Sequence, residues 1–163
     1  MKSFLKKLEI IGKHVLTRLL SILSAERPEK VSLDKGDSLV IIRLDERVGN
    51  LILLTPLLTS IKKRFPSISI DVLVNLKGKA LLEKHPAIRS LLFFNKRKWF
   101  NKTSPFRVLL QLRKNKYALA IDAGNSTTPS TTQILMIRLA NAKQTLGIYH
   151  SRTHLLYSTT VPL

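Results

Sequence analysis

The chain contains no cysteine and few acidic or aromatic residues. Without cysteine it can form neither a disulfide framework nor a thiolate metal site, which is compatible with a reducing compartment. Aromatic residues make up 6% of the chain against a hydrophobic fraction of 44%, so a core would consist mainly of aliphatic side chains. No apolar run reaches the roughly 20 residues that cross a bilayer as a helix, and Arg18 interrupts the longest one near the N-terminus. These absences leave a globular chain.

Basic residues greatly outnumber acidic ones, with 28 Lys and Arg against 10 Asp and Glu and a formal net charge of +18. Such a charge favours a polyanionic partner. Nucleic acid, an anionic membrane surface and a phosphorylated glycolipid all fit it, and charge alone does not choose among them. The sequence shows no helix-turn-helix, zinc-finger or RNP pattern that would favour nucleic acid. A length of 163 residues suits one domain with an appendage.

The N-terminal part predicts an amphipathic basic helix and a linker, at 1–36, in front of a folded domain at 37–163. Apolar residues recur every three or four positions from Phe4 to Leu23, and Lys, His, Thr and Ser occupy the opposite face. This pattern is typical of a helix that lies in a membrane interface, and equally of one that packs on its own domain. Charges and Pro28 mark the linker.

The rest of the chain alternates between strand and helix patterns. Short apolar or alternating runs predict strands at 38–44, 68–74, 90–94, 117–121 and 144–149. Helical spacing predicts helices at 50–64, 79–84, 106–114 and 131–140. Pro56 in the first of these implies a kink or a later start. The alternation predicts an α/β fold with a Rossmann-like, doubly wound, mostly parallel sheet and right-handed crossovers.

In an open parallel sheet, ligands bind beyond the carboxyl ends of the strands, which directs attention to the loops after the first and fourth strands. Asp45 and Glu46 follow the first strand and Asp122 ends the fourth, although acidic residues are scarce in this chain. Gly49 permits a close approach or a positive φ, and the helix that follows attracts a phosphate or carboxylate. Without further context, the loop reads as a tight turn in which Asn50 caps the helix.

Other polar residues are candidate ligand contacts. Arg43, Arg47 and Arg152 could hold phosphates, because a guanidinium pairs with them bidentately. Asn125 and Ser126 follow Asp122 and could bond to sugar hydroxyls, although such clusters are also common in plain loops. The histidines lack partners at metal-ligand spacing, so no metal site is expected. The chain contains neither a G-x-G-x-x-G fingerprint nor a P-loop motif.

The run Val40–Leu58, continued by Ile61–Pro66, resembles the opening of glycosyltransferase family 9, the ADP-heptose:lipopolysaccharide heptosyltransferases. A strand, Arg-Leu-Asp, a loop glycine, Thr-Pro and Lys/Arg-Phe-Pro follow one another in order. The likeness covers roughly residues 38–157 and includes Ile70–Val74, Tyr117–Asp122 and Leu146–Tyr149. The resemblance implies a GT-B architecture of two facing Rossmann-like lobes, with the acceptor on the first and the nucleotide-sugar on the second. The chain corresponds to the N-terminal, acceptor-side lobe.

The resemblance also implies sugar transfer with inversion, in which a base removes the proton of the acceptor hydroxyl. The family's catalytic Asp follows the loop glycine, and this sequence has Asn50 at that position. An amide cannot accept a proton at neutral pH. Either Asp45 or Glu46 substitutes as the base, or Asn50 only orients the acceptor, or the chain is inactive. Asp45 is the better candidate, because it matches a residue common in the family's loop.

We expect a phosphorylated glycolipid or lipopolysaccharide-core acceptor, met at an anionic membrane surface on the cytoplasmic face of the inner membrane. No cofactor is expected, since the nucleotide-sugar donor needs the second lobe. The chain alone should then not catalyse the transfer, unless a separate donor-binding lobe completes the enzyme. Two alternatives stay open: a basic nucleic-acid-binding α/β module, which needs no acids beside its binding loops, and a degenerate, non-catalytic interaction domain.

Overall fold

The computed structural model describes residues 31–45, 47–95, 105–125, 129–150 and 153–162. The strands within them are β1 Ser38–Arg43, β2 Ser69–Asn75, β3 Ser90–Phe94, β4 Leu119–Asp122, β5 Gln144–Ile148 and β6 Thr159–Val161. The α-helices are α1 Val48–Ile52, α2 Leu54–Arg64, α3 Lys79–Leu82, α4 Pro105–Lys114 and α5 Thr131–Leu139, with 3₁₀ turns at Leu76–Gly78 and His154–Leu156. The predicted amphipathic N-terminal helix lies outside the described residues.

The strands form one parallel sheet in the order β3-β2-β1-β4-β5-β6. The chain winds outward from β1 to β3, returns to pair β4 with β1, and winds outward again on the other side. The strand order therefore reverses between β1 and β4, which defines the topological switch point. The predicted Rossmann-like, doubly wound sheet is confirmed. Strand β6 was not predicted, because Thr-Thr-Val is too short and too polar to show a strand pattern.

The core lies on both faces of the sheet. Val40 and Ile42 face the layer that contains α4 and α5, whereas Leu39 and Ile41 face α1, α2 and α3. All four of these side chains are fully buried. A central strand buried on both faces accounts for the continuous apolar run that the sequence shows there. No helix in the described part of the chain is long and apolar enough to cross a bilayer.

The helix predicted at 50–64 is two helices, because the chain breaks at Leu53 between α1 and α2. Pro56 lies in the first turn of α2, where its missing N–H leaves no helical hydrogen bond unmade. The kink or later start expected from Pro56 takes the form of this break, after which α2 begins at Leu54. The interpretation of Asn50 as helix N-cap is wrong, since Arg47 holds that position and Asn50 lies inside α1. The side-chain amide of Asn50 is turned instead to Asp45.

A buried polar cluster links neighbouring segments near the amino ends of the strands. Asp71 of β2 is fully buried and accepts hydrogen bonds from Arg89 at 2.9 and 2.6 Å. Its Oδ2 also accepts from the hydroxyl of Tyr117 at 2.6 Å and from Nδ2 of Asn115 at 3.1 Å. Burial raises the pKa of Tyr117 well above its ordinary value, so this phenol remains a donor. The cluster ties β2 to the segments that lead into β3 and β4.

Candidate functional site

Asp45 follows β1, and three donors hold its carboxylate. Nε of Arg43 lies 2.9 Å and Nδ2 of Asn50 lies 3.2 Å from Oδ2, while the backbone N of Arg47 lies 3.2 Å from Oδ1. The Asp45 side chain is 24% exposed and that of Arg43 is 11% exposed. A carboxylate offers about four lone-pair positions. The three bonds thus leave room on the Oδ1 side for one ligand hydrogen bond.

The backbone of the Asp45 loop is anchored from β2. Nδ2 of Asn75, the last residue of β2, donates to the carbonyl oxygen of Asp45 at 2.5 Å. Oδ1 of Asn75 accepts from the backbone N of Lys77 at 2.9 Å and of Gly78 at 3.3 Å, which caps the following 3₁₀ turn. Sequence reasoning missed Asn75. An Asn directly before a short Leu-Lys-Gly turn was the available signal.

Asp122 ends β4 on the other side of the switch point and is likewise held by three donors. The backbone N of Gly124 donates to Oδ1 at 2.8 Å, and Nε2 of Gln133 donates to the same oxygen. The hydroxyl of Tyr157 donates to Oδ2. Burial raises the pKa of Tyr157 far above its ordinary value, and the negative charge of Asp122 raises it further. The phenol therefore stays protonated and keeps Asp122 in place.

Gln133 joins the two loops. It comes from α5, is 2% exposed, and its Oε1 accepts from the backbone N of Leu44 at 2.9 Å. Its Nε2 donates both to the carbonyl of Ile42 at 3.0 Å and to Asp122. A Cβ on Gly124 would lie 2.5 Å from that Nε2, so a larger residue at this position would displace the Gln133 side chain. Sequence reasoning missed Gln133, although an amide among the apolar residues of a buried helix was visible.

A shallow pocket opens beside Asp122, at the carboxyl ends of β4 and β5. Its empty space is about 300 Å³ when the solvent-filled mouth is included, and little of it is enclosed by protein. Its lining consists mostly of small or polar residues: Asp122, Gly124, Asn125, Pro129, Ser130, Ile148, His150, Thr153 and Tyr157. The pocket lies at the edge where an open α/β sheet binds its ligands.

The structure brings part of the predicted site together. Arg43, Arg47 and Asn50 all contact Asp45, and Asn125 lines the pocket beside Asp122. Arg43 is mostly buried against Asp45, so its geometry suits holding the carboxylate more than reaching a phosphate.

Other predicted site residues are placed differently or are not described. Gly49 lies in α1 without a positive φ, so that reason for this glycine does not apply. No described atom lies within 4 Å of the position of its missing Cβ, and its role as an acceptor contact stays a prediction. Glu46, Ser126 and Arg152 lie outside the described residues, and their roles stay predictions. Within the described ranges, no three His, Asp or Glu side chains are grouped to hold a metal ion.

The chain is a Rossmann-like α/β domain with a candidate ligand site at the carboxyl edge of its sheet. Two carboxylates lie at the carboxyl ends of adjacent strands, on either side of the switch point. A buried amide, Gln133, bonds to one of them, Asp122, and to the backbone at the end of β1. An exposed cation, Arg47, lies beside the other carboxylate, Asp45. This arrangement can bind hydroxyl groups and present a base to one of them.

Comparison with known proteins identifies relatives of this domain. No protein-family model matches the chain. Lipopolysaccharide heptosyltransferase 3 of Escherichia coli is 32% identical over 108 residues, which are 64% of this chain and 31% of that protein. A glycosyltransferase family 9 structure from Veillonella parvula has a TM-score of 0.65 at 20% identity, covering 82% of this chain and 37% of that one. Escherichia coli heptosyltransferase WaaC with ADP has a TM-score of 0.61 at 19% identity, covering 77% and 41%.

The resemblance expected from Val40–Pro66 is confirmed. The chain is similar in sequence to a lipopolysaccharide heptosyltransferase, and its fold matches part of the structures of a family 9 glycosyltransferase and of a heptosyltransferase. It spans about a third of the length of the curated relative.

Proposed function

We propose that the chain forms the acceptor-binding side of a heptosyltransferase-type glycosyltransferase, which moves a sugar from a nucleotide-sugar to a lipopolysaccharide-core-like acceptor. The observation that carries the proposal is the pair of carboxylates, Asp45 and Asp122, that follow the adjacent strands β1 and β4 at the switch point. Gln133 bonds to Asp122 and to the backbone of Ile42 and Leu44, just before Asp45. Similarity to heptosyltransferase 3 supports the same reaction class.

Asp45 is the proposed base. Oδ1 accepts one hydrogen bond, from the backbone of Arg47, and has room for the acceptor hydroxyl. It would take the hydroxyl proton as the acceptor oxygen attacks the sugar carbon and the sugar–phosphate bond of the donor breaks. Arg43 and Asn50 hold Oδ2, so Oδ1 points in a fixed direction. Asn50, at the family's catalytic Asp position, would act as a donor that orients Asp45.

Arg47 is the proposed contact for an acceptor phosphate. It is exposed at the start of α1, and its backbone already touches Asp45, so a phosphate bound there would lie beside the base. Arg43 is proposed to position Asp45, because its side chain is largely buried against that carboxylate. The predicted roles of Glu46, Asn125, Ser126 and Arg152 as acceptor contacts belong to the same proposal.

Acceptor binding is tested by titrating the chain with a delipidated, phosphorylated lipopolysaccharide-core oligosaccharide while amide NMR signals are followed. Signals of Asp45, Asn50 and Asp122 should shift, and Arg47→Ala should weaken binding about tenfold, as expected for a lost charge-assisted bond. Arg113→Ala is the matched control, because Arg113 is exposed at the end of α4, away from the carboxyl edge. Equal weakening by both variants, or shifts confined to other surfaces, would refute the assigned site.

Turnover is tested with a nucleotide-heptose and a truncated lipopolysaccharide. The 163 residues by themselves should give no product, since the donor and its leaving diphosphate need a second lobe. Clear product would refute that requirement. When a donor-binding lobe is supplied, Asp45→Asn should lower the rate at least about a hundredfold, whereas Asp34→Asn, at the opposite end of β1, should leave it unchanged.

An anionic membrane surface at the inner face of the inner membrane is the proposed location. The net charge of +18 and the amphipathic pattern from Phe4 to Leu23 support it. Deletion of residues 1 to 24 should abolish flotation with liposomes that contain anionic lipid. Neutral liposomes serve as the control, and unchanged flotation of the truncated chain would reject the anchor.

A further inference from the structure

Thr153 lines the pocket beside Asp122, and its Oγ1 is buried without a hydrogen-bond partner within the described residues. Thr153 is 5% exposed. A hydroxyl that loses water without gaining a partner destabilises the folded state, and buried polar groups in native proteins are therefore almost always paired. We therefore expect the hydrogen-bond partner of the Thr153 hydroxyl to lie outside the described protein atoms.

A second buried threonine, Thr145, shows the ordinary situation. Thr145 of β5 is also 5% exposed, and its Oγ1 accepts from the backbone N of Ser158 at 2.8 Å. Oγ of Ser158 accepts in turn from the backbone N of Thr145 at 2.6 Å and donates to its carbonyl at 2.9 Å. Thr145 thus has protein partners for the groups that it buries, in contrast to Thr153.

The chemistry of the pocket favours a neutral, hydroxyl-rich ligand. Its lining includes the carboxylate of Asp122, whose negative charge disfavours a phosphate. Asp122 accepts three hydrogen bonds and has one lone-pair position left for a donor. The Thr153 hydroxyl can both donate and accept, as sugar hydroxyls do. Ile148 adds a partly apolar wall.

We propose that this pocket is a subsite for a neutral saccharide unit, whose hydroxyls bond to Asp122 and to Thr153. The inference rests on the proposed function: one sugar of the acceptor occupies the pocket, while Asp45 receives the hydroxyl that is glycosylated. Oγ1 of Thr153 is covered in the ligand-free chain. The ligand reaches it after a rotation about the Thr153 side chain, a kind of change that is common on binding.

Thr153→Val tests the subsite, because valine has the same shape and lacks the hydroxyl. Without ligand, the variant of the full chain should have a Tm about 2 to 4 °C higher, since an unpaired buried group has been removed. The same variant should bind free L-glycero-D-manno-heptose about five- to tenfold more weakly in an NMR titration. Thr145→Val is the matched control: it should lower the Tm, because Ser158 loses its partner, and leave heptose affinity unchanged.

Three outcomes would overturn the subsite. A lower Tm of Thr153→Val would mean that the hydroxyl has a partner in the protein. A higher Tm with unchanged heptose affinity would mean that the pocket does not hold the sugar. Tighter binding of inorganic phosphate than of heptose at Thr153 would exclude the neutral ligand class.

The subsite and the proposed function fail separately. If Arg47→Ala leaves the affinity for the phosphorylated oligosaccharide unchanged but free heptose still shifts the NMR signal of Thr153, the acceptor site at Asp45 is wrong and the subsite stands. If oligosaccharide binding depends on Arg47 but not on Thr153, the acceptor site stands and the subsite is wrong.

Discussion

The side-chain amide of Asn50 donates to the carboxylate of Asp45 across 3.2 Å, although the two residues belong to different elements, a loop and the helix α1. The family that the chain resembles has a carboxylate at the position of Asn50. With an amide there, the neighbouring Asp45 gains a donor where it would otherwise meet a like charge. The two residues therefore form one unit, with Asp45 as the charged group and Asn50 as its support.

Asn50→Asp should destabilise the chain by about 1 kcal/mol near pH 7, because two carboxylates would then face each other. The repulsion raises the pKa of one of them above its unfolded value of about 4. A raised pKa means that the folded state binds the extra proton, so the variant regains stability as the pH falls towards about 4.5. Urea unfolding at both pH values measures the difference. Asn141→Asp, at an exposed turn, is the control and should change stability by less than about 0.5 kcal/mol; equal behaviour of the two variants would contradict the contact.

Alkaline pH should destabilise the chain through its two buried tyrosines. Burial raises the pKa of both Tyr117 and Tyr157 above the ordinary value of 10.0. The unfolded chain loses these protons above about pH 10 and the folded chain keeps them, so stability is present below that pH and falls above it. Each tyrosine contributes a slope of up to about 1.4 kcal/mol per pH unit. Tyr157→Phe should flatten the dependence of the urea midpoint between about pH 10 and 11, and adding Tyr117→Phe should flatten it further; unchanged slopes would disprove the assignment.

Gly147→Ala should displace Tyr157. A Cβ on Gly147 would lie 2.7 Å from three carbons of the Tyr157 ring, which is closer than van der Waals contact allows. The ring must move, and its hydroxyl then loses Asp122. We expect a loss of about 1 to 3 kcal/mol, as for other overpacked sites, measured by thermal unfolding. Gly49→Ala is the control, since nothing lies near its Cβ position in α1, and it should be neutral or slightly stabilising. Equal Tm values for the two variants would contradict the packing described.

Asp71→Asn should lower stability by about 2 to 4 kcal/mol, because it removes the charge that Arg89, Asn115 and Tyr117 jointly surround. Glu83→Gln breaks an ion pair with Lys79 in which both side chains are more than half exposed, and it should cost less than about 0.5 kcal/mol. Urea unfolding compares them. The folded Asp71→Asn variant should bind the oligosaccharide with the affinity of the parent chain, since the Asp71 cluster lies at the edge of the sheet opposite the proposed site. Weaker binding would mean that the Asp71 cluster contributes to function.

The local sequence was sufficient to predict the alternation of strands and helices, the parallel sheet and the two loops that carry Asp45 and Asp122. Those features depend on apolar runs and on residues that stop or start an element, and both signals lie within a few neighbouring positions. The family resemblance was readable for the same reason, because its residues form one nearly continuous run from Val40 to Pro66.

The partners of the site residues were decided only by the tertiary structure. Gln133 is 91 positions from Ile42, Tyr157 is 35 from Asp122, and Tyr117 is 46 from Asp71. Periodicity carries no information about contacts across such separations, because they depend on how each crossover places its helix on the sheet. Strand β6 also depends on tertiary structure, because Thr159–Val161 becomes a strand by pairing with the free edge of β5. Asn50, too, holds Asp45 instead of capping a helix because the fold begins α1 three residues earlier than Asn50 would require.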